Sequence, residues 1–230
     1  MPRSVLLLCL APLILAAWTR AGAAQATTSR SIEGQDERGK YDIAWVRLAD
    51  GAADPAVRRR VNAELEREAR SHLCDPEPDL ERRRHLESWY EMEVTFRSPR
   101  LLGIRTRMDI WCGGASPSNG PGSLLYDLRT GRRIELEEEM ADPRAFRRFV
   151  ARRALAAAPR DAPECAELYT LEQLAATGYV YVLNARSLTA SQSYPRVVMA
   201  CGYDTEIPYA DVIRFVKPGS PLRSLAPRRP

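Results

Sequence analysis

The chain has 230 residues, 45% of them hydrophobic and 28% charged, with a formal net charge of +4. That composition is globular and excludes a disordered or fibrous chain; the length allows one large domain or two small ones. No dense basic patch with interleaved aromatics is present, so nucleic acid is not an expected partner.

The first stretch belongs to targeting rather than to the fold. Met1-Pro2-Arg3 is a short basic start, and Val5 to Trp18 is an apolar run too short for a comfortable membrane span. Ala21-Gly22-Ala23-Ala24 offers small residues for cleavage. Residues 1–24 read as a secretory signal peptide. The mature protein is then exported, periplasmic or extracellular, with no stable membrane span. The competing readings are an uncleaved anchor, opposed by Arg20 in the apolar run, and a lipoprotein, opposed by the leucines before Cys9. Cleavage removes Arg3, Arg20 and no acid, which lowers the charge to +2.

Four cysteines remain, Cys74, Cys112, Cys165 and Cys201. An even number in an exported chain predicts disulfides. Of the three pairings, Cys74–Cys112 and Cys165–Cys201 are favoured because each joins elements that neighbour one another in sequence. A metal site is the alternative, but no cysteines are spaced CxxC and only His72 and His85 could assist. Neither a metal nor a cofactor is expected.

Residues 25–39 are polar and small and read as a flexible leader. Tyr41 to Leu48 reads as a strand, and Asp54-Pro55 opens a helix: the carboxylate caps free N–H groups, and proline lacks a donor that would be unpaired there. Val57, Val61, Leu65, Ala69 and Leu73 form its apolar stripe. Asp79 to Ser88 is a loop or short helix, and Trp89 to Arg97 is a strand. In the next strand Leu102, Ile104, Thr106, Met108, Ile110 and Cys112 alternate with Gly103, Arg105, Arg107, Asp109 and Trp111, placing the first set on a core face and the second on a wetter one. Gly113 to Gly122 reads as a loop, Ser123 to Arg129 as a strand, Thr130-Gly131 as a turn and Arg132 to Leu136 as the strand that closes the hairpin.

Asp142-Pro143 repeats the helix start, with Phe146, Phe149, Val150, Ala154 and Leu155 as the buried face. Thr170 and Gln173 make a capping box for a short helix ended by Gly178. Tyr179 to Asn184 and Arg196 to Ala200 read as strands, and Ile207 to Phe215 as a last short helix. The chain from Lys217 reads as extended or loose. The fold class that follows is α+β: antiparallel sheets with helices packed on one face, stabilised by disulfides. The domain division is residues 40–100, a strand–helix–strand part, residues 101–222, a second α+β part, and a tail over 223–230.

Two runs carry a family resemblance. Trp111-Cys112-Gly113-Gly114-Ala115-Ser116-Pro117-Ser118-Asn119-Gly120 with Leu125-Tyr126-Asp127-Leu128-Arg129-Thr130-Gly131 resembles the signature and following turn of the bacterial extracytoplasmic domain of unknown function 3298. Glu206-Ile207-Pro208-Tyr209-Ala210-Asp211-Val212 resembles that family's later IPY segment. Tyr41 to Arg97 is similar in layout to the companion domain of unknown function 4163. The pair occurs in RsiV-type anti-sigma factors, where it binds lysozyme, and in some peptidoglycan deacetylases. The resemblance implies a cell-envelope binding or sensing module without chemistry, its ligand lysozyme or peptidoglycan. A stand-alone envelope hydrolase or deacetylase accessory is the alternative. Ser116 stands where the family carries histidine, which removes a titratable side chain.

On that resemblance the candidate contacts are Trp111, Tyr126, Tyr203 and Tyr209, aromatics suited to binding patches, with Gly113, Gly114, Ser116 and Asn119 in the signature loop; each aromatic also reads as an ordinary half-buried sheet residue, the favoured reading for Tyr126 and Tyr209. Glu137, Glu138 and Glu139 read either as a solvated bend or as an acidic patch for a cationic partner. No catalytic residue is assigned. Ser116 has no histidine near it in sequence to act as a base. Asp109 and Asp127 could form a carboxylate pair, but ion pairs with Arg105, Arg107 or Arg129 explain them as well.

Overall fold

A computed structural model describes residues 27–193 and 196–226. The signal-peptide reading of residues 1–24 lies outside them, as does the end of the tail from Pro227. Residues 25–39, expected as a flexible leader, instead supply strand β1 (Thr27–Asp36), which pairs antiparallel along its whole length with β2 (Gly39–Leu48). Its side chains are mostly exposed, so backbone pairing holds it rather than an apolar face. The turn between them demands glycine: Gly39 has φ +79°, and a Cβ there would lie 2.2 Å from the Leu86 carbonyl oxygen.

Helix α1 (Pro55–Arg70) starts where predicted, with the Asp54 carboxylate accepting from the Ala56 and Val57 N–H groups. It buries Val61, Leu65 and Ala69. Asn62 ties it to the end of β2, accepting from the Leu48 N–H at 2.7 Å and donating to the Leu48 carbonyl at 3.1 Å. After the short helix α2 (Leu80–Arg83) the chain re-enters the sheet as β3 (Glu87–Arg97), parallel to β2. A parallel pair needs a crossover, and α1 lies in it. Antiparallel strands β4 (Leu101–Trp111), β5 (Ser118–Asp127) and the two-residue β6 (Arg132–Arg133) complete a six-stranded sheet in sequence order. The division at residue 100 therefore falls at the turn between two paired strands, and both parts contribute to one sheet. β5 starts earlier than expected, because Ser118 to Gly122 pair with Ile110 to Thr106 despite their glycines and proline.

One face of the sheet packs on α1 through Ile43, Tyr90, Met92, Leu102, Ile104, Leu124 and Tyr126. The alternation predicted for β4 holds in its second half, whereas Leu101 and Gly103 are buried as well as Leu102 and Ile104. A second layer covers the outer face at that end. It is built from helices α3 (Pro143–Ala157) and α4 (Leu171–Ala176), an antiparallel sheet of β7 (Gly178–Leu183), β8 (Ser187–Ser193) and β9 (Asp204–Pro208), and α5 (Tyr209–Val212). Gly103 permits the close approach: a Cβ there would lie 3.1 Å from Phe96 Cβ and 3.2 Å from Leu183 Cβ. The β3–β4 register shifts between Val94 and Phe96, so Val94 packs toward α1 and Phe96 toward the second layer.

Three further expectations change in this layer. Arg196–Cys201 forms a 3-10 turn instead of a strand, next to the Cys165–Cys201 bond. Leu155 is 40% exposed; α3 instead buries Ala151 with Phe146, Phe149, Val150 and Ala154. The chain after Lys217 is not loose, because a 3-10 turn over Pro221–Leu225 buries Pro221, Leu222 and Leu225. Both predicted disulfides are present, Cys74–Cys112 and Cys165–Cys201, with Cα separations of 5.1 and 5.5 Å. The class is α+β, with the β2–β3 pair as the parallel exception in its sheets.

Candidate functional site

The outer face of the six-stranded sheet is uncovered beyond the second layer, and the strand register orders what it displays. One row across the strands runs Lys40, Glu87, Trp111. The next runs Asp42, Trp89, Asp109, Asn119. Then come Glu91, Arg107, Pro121 and Glu93, Arg105, Ser123. Neighbours across a sheet point to the same side, so Trp89 stands between two carboxylates.

Lys40, Glu87 and Trp111 of the first row and Asp42, Trp89 and Asp109 of the second, with Tyr41, Ser88 and Pro117, line a cleft of about 490 Å³. A second cleft of about 470 Å³ shares Trp89 and Asp109 with it and continues past Arg105, Arg107 and Asn119 to Ser191 and Asp204 of the second layer. Four large hydrophobic side chains are exposed among the described residues. Leu80 and Leu155 line neither cleft, whereas Trp89 and Trp111, 39% and 37% exposed, share the first. The loop after Trp111 turns through Gly113 and Gly114, both at positive φ, and the Trp111 indole N–H donates to the Gly114 carbonyl at 3.3 Å.

Charges on this face are unevenly satisfied. Arg107 lies 3.4 Å from Glu91 and 3.2 Å from Glu93. Asp204 accepts from the Ser191 hydroxyl at 2.6 Å. The Asp42 and Asp109 carboxylates form no ion pair or hydrogen bond with other described residues. Among the described residues no cluster of three or more His, Cys, Asp or Glu is placed to hold a metal.

The chain matches a DUF3298 family protein from Pseudomonas aeruginosa PAO1 with a TM-score of 0.56 at 19% identity, over 88% of this chain and 97% of the other. It matches a DUF3298 family member from Bacteroides fragilis NCTC 9343 with a TM-score of 0.59 at 14% identity, over 87% and 98%. The fold is that of DUF3298 proteins. No protein-family model and no curated protein matches the sequence itself.

Within this DUF3298 fold the sequence-predicted residues separate. Trp111, Gly113, Gly114, Ser116 and Asn119 gather at the cleft and its end loop. Tyr126 does not; it is fully buried under α1. Tyr209 is buried and donates to the Asn184 carbonyl. Tyr203 is half-buried in the second layer, donating to the Ala154 carbonyl with its ring edge on Tyr169. The glutamates do not form a free acidic patch. Glu137 binds Arg147 and the Tyr181 hydroxyl, Glu139 is buried against Arg132, and Glu138 remains exposed. Asp109 and Asp127 sit at opposite ends of the β4–β5 ladder, roughly 25 Å apart, and cannot act on one bond. Asp127 is buried and accepts from the Arg129 N–H in the hairpin turn. Sequence reading passed over Trp89, Asp42 and Glu87. The signal for Trp89 lay in WYEMEVTFR, where Tyr90, Met92 and Val94 take the core face and leave a tryptophan on the wet one.

Beneath the cleft, on the α1 side, His72 stacks on Tyr90 with ring centroids 4.1 Å apart. Its Nε2 lies 3.7 Å from Glu68, too far for a hydrogen bond but close enough to attract, and Arg133 lies 3.2 Å from the other oxygen. His72 first, then Arg133, hold the Glu68 carboxyl below its ordinary 4.5, against the opposing effect of burial. A depressed folded-state value stabilises the protein above the unfolded value, and that contribution is lost as pH falls through the folded one. Glu68→Gln is therefore expected to be less stable at pH 7 and to lose less stability below pH 4.5 than the wild type. Urea unfolding across that range checks it, and parallel curves for the two proteins would refute the linkage.

Proposed function

We propose that the mature chain is an exported cell-envelope binding module without chemistry of its own, and that its ligand seats on the Trp89–Trp111 face. The carrying observation is the pair of exposed tryptophans in one cleft beside carboxylates with no partner. Exposed aromatic area of this kind marks recognition surfaces, and unpaired acids favour a cationic ligand. Lysozyme, the cationic protein that the resemblance implies, is the preferred ligand over peptidoglycan. Two disulfides support export. No helix among the described residues is long and apolar enough to cross a membrane.

Calorimetric titration of the mature chain with lysozyme tests the reading. Saturable binding is expected, weakened by raising salt from about 50 to 300 mM and weakened roughly tenfold or more in Trp89→Ala/Trp111→Ala. Absence of binding to both lysozyme and purified peptidoglycan removes the envelope reading.

A further inference from the structure

We infer that Trp89, with Asp42 and Asp109 on either side, is a seat for one guanidinium or ammonium group of a basic polypeptide segment lying along the groove. The inference rests on the groove being the ligand site and names the chemistry that fills it. Three observations converge. The register sets Asp42, Trp89 and Asp109 in one row on one face, with neighbours about 4.8 Å apart. A cation over the indole is then within reach of a carboxylate on each flank, and the face of an indole attracts cations. Both carboxylates lack a partner among the described residues.

The surroundings favour a cation as well. Across both clefts and the rows beside them, Asp42, Glu87, Glu91, Glu93, Asp109 and Asp204 outnumber Lys40, Arg105 and Arg107. Arg107 is already matched by Glu91 and Glu93, and Lys40 stands opposite Glu87. An anionic ligand meets net repulsion here. A neutral sugar could stack on the tryptophans, but it gives the unpaired carboxylates no counter-charge. The two clefts meet at Trp89 and Asp109 and reach from Lys40 to Asp204. That extent suits a chain segment better than a single small cation, and Asn119, next in the row, offers both amide donors and an acceptor to a peptide backbone.

A capped hexa-arginine peptide and its hexa-citrulline counterpart, alike in shape but different in charge, test the seat by calorimetry with the mature chain at low salt. One-site binding of the arginine peptide is expected, with citrulline at least tenfold weaker. Asp42→Asn/Asp109→Asn and Trp89→Ala are each expected to weaken it roughly tenfold. Glu172→Gln, an exposed acid on α4 that lines neither cleft, leaves it unchanged. Equal binding of the citrulline peptide, an equal loss in Glu172→Gln, or binding of an N-acetylglucosamine tetramer with none of the peptide overturns the seat. Lysozyme binding without peptide binding overturns the seat and leaves the envelope reading standing. Peptide binding with neither lysozyme nor peptidoglycan bound supports the seat and removes that reading.

Discussion

Replacing Cys74 and Cys112 together by serine is expected to lower the stability of the protein by about 4 kcal/mol. The bond closes a loop with a sequence separation of 38, and the chain-entropy cost of such a loop sets the magnitude. For a domain of this size the melting temperature falls by roughly 8–16 °C. The effect has a local side too. Cys74 is buried, its sulfur lies 3.3 Å from the Ser88 hydroxyl, and the bond pins the segment after α1 to the residue beside Trp111. Its loss frees one end of the groove. Cys165–Cys201 closes a loop of similar separation, 36, but lies in the second layer. Removing it is expected to cost comparable stability and leave ligand affinity at the groove intact. Calorimetric melting and peptide titration of the two double variants separate these effects. A loss of affinity in both, or in neither, would show that the first bond has no special hold on the site.

Phe146→Ala is expected to destabilise by about 4 kcal/mol. Phe146 is fully buried on α3, with Tyr181 of β7 and Phe215 at ring-centroid distances of 5.6 and 5.7 Å. Truncation opens a cavity where α3, β7 and the turn after α5 meet, and few of these walls can close on it. Phe146→Leu keeps most of the volume and should cost under about 1.5 kcal/mol. Urea denaturation of both variants checks the contrast. Equal midpoints would mean that α3 does not depend on this packing, and that the second layer is held chiefly by its disulfide.

Features governed by nearby residues were legible before the fold. Asp54-Pro55 and Asp142-Pro143 start helices because a cap acts on N–H groups two or three residues away. The alternation in β4 was readable where water lies on one side, from Arg105 onward, and failed at Leu101 and Gly103 because a second layer covers that face. β1 and β8 gave little signal: their side chains are largely polar, and backbone hydrogen bonds to a partner strand leave no trace in local composition. At the candidate site, Trp111 and its glycine loop were legible as a surface feature. The same reasoning did not separate surface from core at Tyr126 and Tyr209, nor a free from a paired carboxylate at Glu137 and Glu139, because burial and ion pairing are properties of what packs against a residue.

The sequence by itself determined the helix starts at Asp54-Pro55 and Asp142-Pro143 and the α+β class, and favoured the two cysteine pairings found, all of which rest on short-range or nearest-element chemistry. Only the tertiary structure decided that Asp42, Trp89, Asp109 and Asn119 form one row, since strand register brings together residues from four separate segments. It also decided that the Glu137 and Glu139 carboxylates are neutralised by Arg147 and Arg132. The acidic surface proposed for a ligand is therefore that of the open sheet rather than of the glutamate bend. The physical reason is the same in each case: a side chain's exposure and net charge depend on neighbours that only folding supplies.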